Sequence, residues 1–272
     1  MAEQNPIDIK RLASLLDDPD EAVAISAMAE LINREPELGD LPAVLQEDTN
    51  PLMRRRVHQL QSALTMIRRR RYLAEVLRQD EINFAAALVQ IHLQWFDRDS
   101  EVSLTRKINE FCKELSCHPL GSLQEIGDAF AACAVTALPA TTLKVEQSCI
   151  GVMLDEKCGS SALWCGMICD FFKEHGLKTL LHHGRFGVAN EKEILIPEDN
   201  WLVSPLPLEG ELQFWEPKNL LQFAMMTLFS AAVNSDSFRY ILTLSQTFTG
   251  CETADALSSL PYPYNPELEP LS

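Results

Sequence analysis

The stretch that most limits what this chain can become runs from Gly159 to His175. Leu163, Trp164, Met167, Ile168, Phe171 and Phe172 make it apolar nearly all round. A helix that is apolar on every side has to be packed on every side. Lys173, Glu174 and His175 close the helix, and Gly176 supplies a residue suited to the left-handed stop. Short segments of strand character come next, at 179–183, 185–189 and 194–196, with 201–208 as a further candidate. One buried helix followed by short strands predicts an α+β core. Helical spacing returns at 220–233 and 237–248.

Most of the chain ahead of that helix has helical periodicity. Leu12, Leu15 and Leu16 precede Asp17-Asp18-Pro19, after which Val23, Ile25, Met28, Leu31 and Ile32 recur at helical spacing. The pattern repeats at Leu41, Val44 and Leu45, then Asn50-Pro51, then Val57, Leu60 and Leu64. The two units, an apolar helix, an acidic turn ending in proline and a second helix, start at Leu12 and Leu41. They predict HEAT-like helix pairs over residues 1–71. Arg54, Arg55 and Arg56 and the run Arg68 to Arg71 are expected on the surface, paired with the acidic excess. Three apolar stripes follow between Tyr72 and Leu115, His118-Pro119-Leu120-Gly121 interrupts them, and 122–135 predicts one more helix. Residues 251–272 hold four prolines between Pro261 and Pro270 and no Lys or Arg, which predicts an extended or disordered acidic tail.

Charge limits the class of partner. Among 272 residues, 23 Lys and Arg stand against 39 Asp and Glu, a formal net charge of −16. Phosphate recognition needs a clustered positive face, so a nucleic-acid partner is not expected. The opening MAEQNPIDIKR carries no apolar stretch, and the longest apolar run, Leu220 to Val233, is interrupted by Gln222. A bilayer span needs roughly 20 apolar residues, so no membrane association is expected and the predicted location is cytoplasmic. Eight cysteines in a chain of this length are expected as reduced thiols. Cys112, Cys117 and His118 lie close in sequence, and Cys165 and Cys169 share a helix face. Neither set has the paired C-x-x-C spacing of a zinc site, so no metal and no cofactor are expected.

Two segments carry a resemblance. One is YLAEVLRQDEINFAAALVQIHLQWFDRDSEVSLTRKINEFCKEL, residues 72–115. The other is QSCIGVMLDEKCGSSALWCGMICDFFKEHGL, residues 147–177, in which Ser148, Leu154, Asp155, Gly159, Gly176 and Leu177 coincide with the family pattern. The sequence up to about Gly250 resembles the SirB-type branch of the transglutaminase-like superfamily. That resemblance implies a papain-like core over 72–250, with a central helix against a small antiparallel sheet.

The resemblance also implies where a catalytic triad would sit. Active members of the superfamily place a cysteine at the start of the central helix, a histidine on a following strand and an acid after that. Here the cysteine position falls on Ser161, and HGRFGV puts Arg185 where the histidine of a PGHFL strand belongs. Arginine cannot accept a proton at physiological pH. His183, two residues earlier, would share a strand face with Arg185 if the segment were extended, and Asp199 is the nearest acid. Cys158 and Cys165 flank the nucleophile position as displaced alternatives. Replacement of both nucleophile and base points to a non-catalytic protein-binding or scaffolding module with a protein or peptide partner. The alternative is a cysteine- or serine-dependent acyl-transfer enzyme or amide hydrolase with a shifted triad.

Overall fold

The computed structural model describes residues 8–46, 50–79, 81–207, 212–235 and 238–249; the expected tail at 251–272 and Leu208 lie outside them. The chain divides into two compact units between Arg69 and Arg70, two residues before the expected boundary.

In the first unit, α1 (Ile9–Ser14) leads through a 3₁₀ turn at Leu15–Asp17 to α2 (Glu21–Asn33); α3 (Leu41–Gln46) precedes α4 (Pro51–Val76), inside which the division falls. Each acidic or amide turn is a helix start. Asp20 accepts the Ala22 N–H at 2.9 Å, and Asn50 accepts the Leu52 N–H at 2.9 Å, each satisfying a backbone donor that a helix leaves unpaired. Leu12, Leu16, Leu31, Leu38, Met53, Val57, Leu60 and Leu64 form this unit's core. The expectation that all the early arginines are surface residues fails at Arg56. It is buried, and its guanidinium donates to the Leu16 carbonyl at 2.8 Å and the Asp18 carbonyl at 2.5 Å. It closes the end of the 3₁₀ turn, whose last carbonyls have no helical partner.

The second unit begins with α5 (Phe84–Trp95), α6 (Glu101–Leu115) and α7 (Leu123–Ala132). Strand β1 (Thr136–Leu138), helix α8 (Ile150–Glu156) and strand β2 (Cys158–Ser160) lead into α9 (Ser161–Phe171). β1 and β2 pair in parallel, with Ala137 opposite Gly159. Cys158, Gly159 and Ser160 are therefore strand, and the central helix starts at Ser161 rather than Gly159. After α9 come β3 (Lys178–His182), β4 (Arg185–Ala189), β5 (Glu193–Ile196), β6 (Leu202–Pro205) and β7 (Gln213–Trp215), then α10 (Pro217–Asn234) and α11 (Phe238–Thr249).

Strands β3 to β7 form one antiparallel sheet in the order β6-β5-β4-β3-β7. Helix α9 packs on β4 and β3, and α7 on β5 and β6. Trp164, Leu163, Met167 and Ile168 of α9 are fully buried, with the Trp164 ring 5.6 Å from Phe111 and 6.0 Å from Phe130. Phe186, Val188 and Leu195 meet this helical core. Their strand neighbours Leu180, Ala189, Ile194 and Ile196 build a second small cluster on the opposite face, packed by Leu206 and Leu212. A two-faced sheet explains why β4 is buried at every position after Arg185. The architecture is α+β, as the sequence predicts.

Candidate functional site

The start of α9, the start of β4 and the end of β5 meet at one place. In the β4–β5 ladder, Val188 lies opposite Leu195 and Ala189 opposite Ile194. Counting the register onward brings the 3₁₀ turn Pro197–Asp199 level with Arg185. Ser161, the first residue of α9, is 1 % exposed and donates its hydroxyl to Glu198 Oε1 at 2.6 Å. The Glu198 carboxylate thereby sits at the positive end of the helix, a favourable place for an anion. Beside it, Arg185 Nη1 contacts both Asp199 carboxylate oxygens at 2.6 Å, with both side chains about 40 % exposed.

Two of the predicted site residues, Arg185 and Asp199, are therefore joined to each other, and Ser161 is joined to Glu198, which the sequence reading passed over. The signal for Glu198 lay in the register, because it precedes Asp199 in the turn that continues β5 past its last ladder pair.

His183 is not on the strand face of Arg185. β3 ends at His182, which pairs with Arg185 across the ladder, and His183-Gly184 form the two-residue hairpin turn with φ of 48° and 76°. Positive φ at both central residues is what a tight hairpin requires, so the extended geometry that would align His183 with Arg185 does not exist. The His183 ring lies 4.1 Å from that of His182. Burial, with help from the neighbouring His183 and Arg185 charges, lowers the pKa of His182.

The alternative nucleophiles are no better placed. Cys165 is fully buried inside α9, and burial pushes its thiol far above the usual range. Cys158 is half-buried on β2, accepts from Gln147 Nε2 at 3.6 Å, and is also raised by burial. A nucleophilic cysteine needs the opposite shift. Among the described residues, no group of three or more His, Cys, Asp and Glu is placed to hold a metal ion, and no helix is long and apolar enough to cross a membrane. Trp201 is buried, donates its indole N–H to the Val135 carbonyl at 2.8 Å and lies 4.8 Å from Phe130.

A hydroxyl hydrogen-bonded to a carboxylate could in principle pass its proton there during acyl transfer. The burial of Ser161 leaves no open face for a carbonyl to approach. No family model, curated protein or solved structure matches the chain.

Proposed function

We propose that the chain is a non-catalytic, transglutaminase-like protein that acts as a protein-binding or scaffolding module, its N-terminal helix pairs being HEAT-like. One observation carries the reading: at the helix start where the nucleophile would stand, Ser161 is buried with its hydroxyl on Glu198. The Arg185–Asp199 pair supports it, since a guanidinium stands where the general base would be. The face around Arg185, Asp199 and the exposed edge-strand residue Leu202 then serves as a binding surface for a protein or peptide.

The competing reading is a hydrolase in which Glu198 takes the Ser161 proton; the 2.6 Å hydrogen bond favours it and the burial of Ser161 opposes it. The purified chain, cross-linked in extract of its own cells, tests the proposal. A reproducible partner is expected with the native chain and its loss with the double variant Arg185→Glu/Leu202→Glu. No reproducible partner, or one retained by the variant, would overturn this reading.

A further inference from the structure

At the far end of α9, about 12 Å along the helix from Ser161 at 1.5 Å per residue, the second unit holds a cavity of about 550 Å³. Small-molecule sites span roughly 300–1,000 Å³ and are mostly apolar with a few placed polar groups. Ile82, Phe84, Leu177, Phe214, Pro217 and Leu220 make the apolar walls. Phe84 is pressed against the backbone of α9; a Cβ on Gly166 would lie 2.3 Å from its ring. The polar part is narrow. Cys169 Sγ and Thr179 Oγ1 are 3.3 Å apart, and Thr179 is buried.

The charged lining is uneven in what it leaves for a ligand. Asp170 is committed: it accepts the Ala85 N–H at 3.1 Å, closing the start of α5, and pairs with Lys173 at 2.9 Å. Glu216 is the N-cap residue of α10, where the helix's positive end offsets its charge. Lys178 has no carboxylate within ion-pair distance among the described residues, and its ammonium stands 5.9 Å from the Phe214 ring centroid. The indole N–H of Trp215, another lining residue, is buried with no partner among the described residues. The cavity thus combines an apolar body with an exposed lysine among its lining residues, and no anion among the described residues is paired with that lysine.

We propose that this cavity binds a small organic acid, a carboxylate or sulfonate on an aromatic or branched aliphatic body, with the body against Phe84, Leu177, Phe214 and Leu220 and the acid group toward Lys178. The site is distinct from Ser161 and does not depend on the function proposed above.

Fluorescence titration of the purified full chain with anilinonaphthalene sulfonate, an aromatic monoanion, and with phenylnaphthylamine, the same body without the acid group, tests it. The sulfonate is expected to saturate a single site and to bind at least about tenfold more tightly than the amine. Lys178→Glu is expected to weaken the sulfonate by about tenfold and leave the amine unchanged. Bound sulfonate is expected to slow alkylation of Cys169 by iodoacetamide, mapped by peptide mass spectrometry, and to leave the exposed Cys117 unaffected. The half-exposed substitution Leu177→Trp, which fills the cavity, is expected to abolish binding of both probes. Unsaturable binding, or Cys169 alkylation at an unchanged rate in the native chain, overturns the site. Equal affinity for both probes, with Lys178→Glu changing neither, overturns the acid as its ligand.

Discussion

Ser161 has one hydroxyl proton, and the hydrogen bond it makes to Glu198 at 2.6 Å is charge-assisted, the stronger kind. Ser161→Ala should lower stability by about 1–3 kcal/mol in urea denaturation, because a half-buried carboxylate loses its donor. Arg185→Ala should cost no more than ~1 kcal/mol, since the pair with Asp199 is exposed and screened. His92 offers a second residue-scale test. It is 1 % exposed; its Nδ1 accepts the Gly151 N–H at 3.2 Å, and its Nε2 donates to Asp99 at 2.8 Å. Burial, opposed in part by Asp99, lowers its pKa below the ordinary 6.5. A folded-state pKa below the unfolded one means that the unfolded chain binds the proton first. This contribution to stability is therefore complete above pH 6.5 and is lost as pH falls from there toward the lower folded value. Urea midpoints measured through that window should fall for the native chain and fall less for His92→Gln.

Helix α9 was legible in the sequence because six large apolar residues on all its sides admit only a fully packed helix, and Gly176, with φ of 62°, ends the turn that follows it. Trp164→Ala should therefore cost about 3–5 kcal/mol, read from the urea midpoint, with loss of the ring contacts to Phe111 and Phe130. The strands at 178–182, 185–189 and 193–196 were legible for a related reason, since β-branched and apolar runs fit a half-buried pleat. The turn between the first two was legible only in part. The first strand was expected to run to His183, but it ends at His182, and positive φ at both His183 and Gly184 removes His183 from the face of Arg185. β1, β2 and β7 are three residues each, too short for any period to show. Arg56 escaped notice because a basic run looks alike whether its members face water or close a buried helix end.

At the scale of the whole molecule, the chain is two units with separate apolar cores, one built from Leu12 to Leu64 and one from Leu73 to Leu244. The division falls inside α4, a helix that runs unbroken from Pro51 to Val76. The pairing of Ser161 with Glu198 was not legible in the sequence, because it joins residues 37 apart through a ladder register that sequence alone does not fix. The proposed binding module depends on that pairing being a closed, inert contact. Incubation of the folded chain with a fluorophosphonate probe, followed by peptide mass mapping, asks this directly. The inert contact predicts no adduct on Ser161 in the native chain, even after exhaustive reaction. A stoichiometric adduct on Ser161, lost in Glu198→Gln with the fold intact, would contradict it and make the residue a nucleophile.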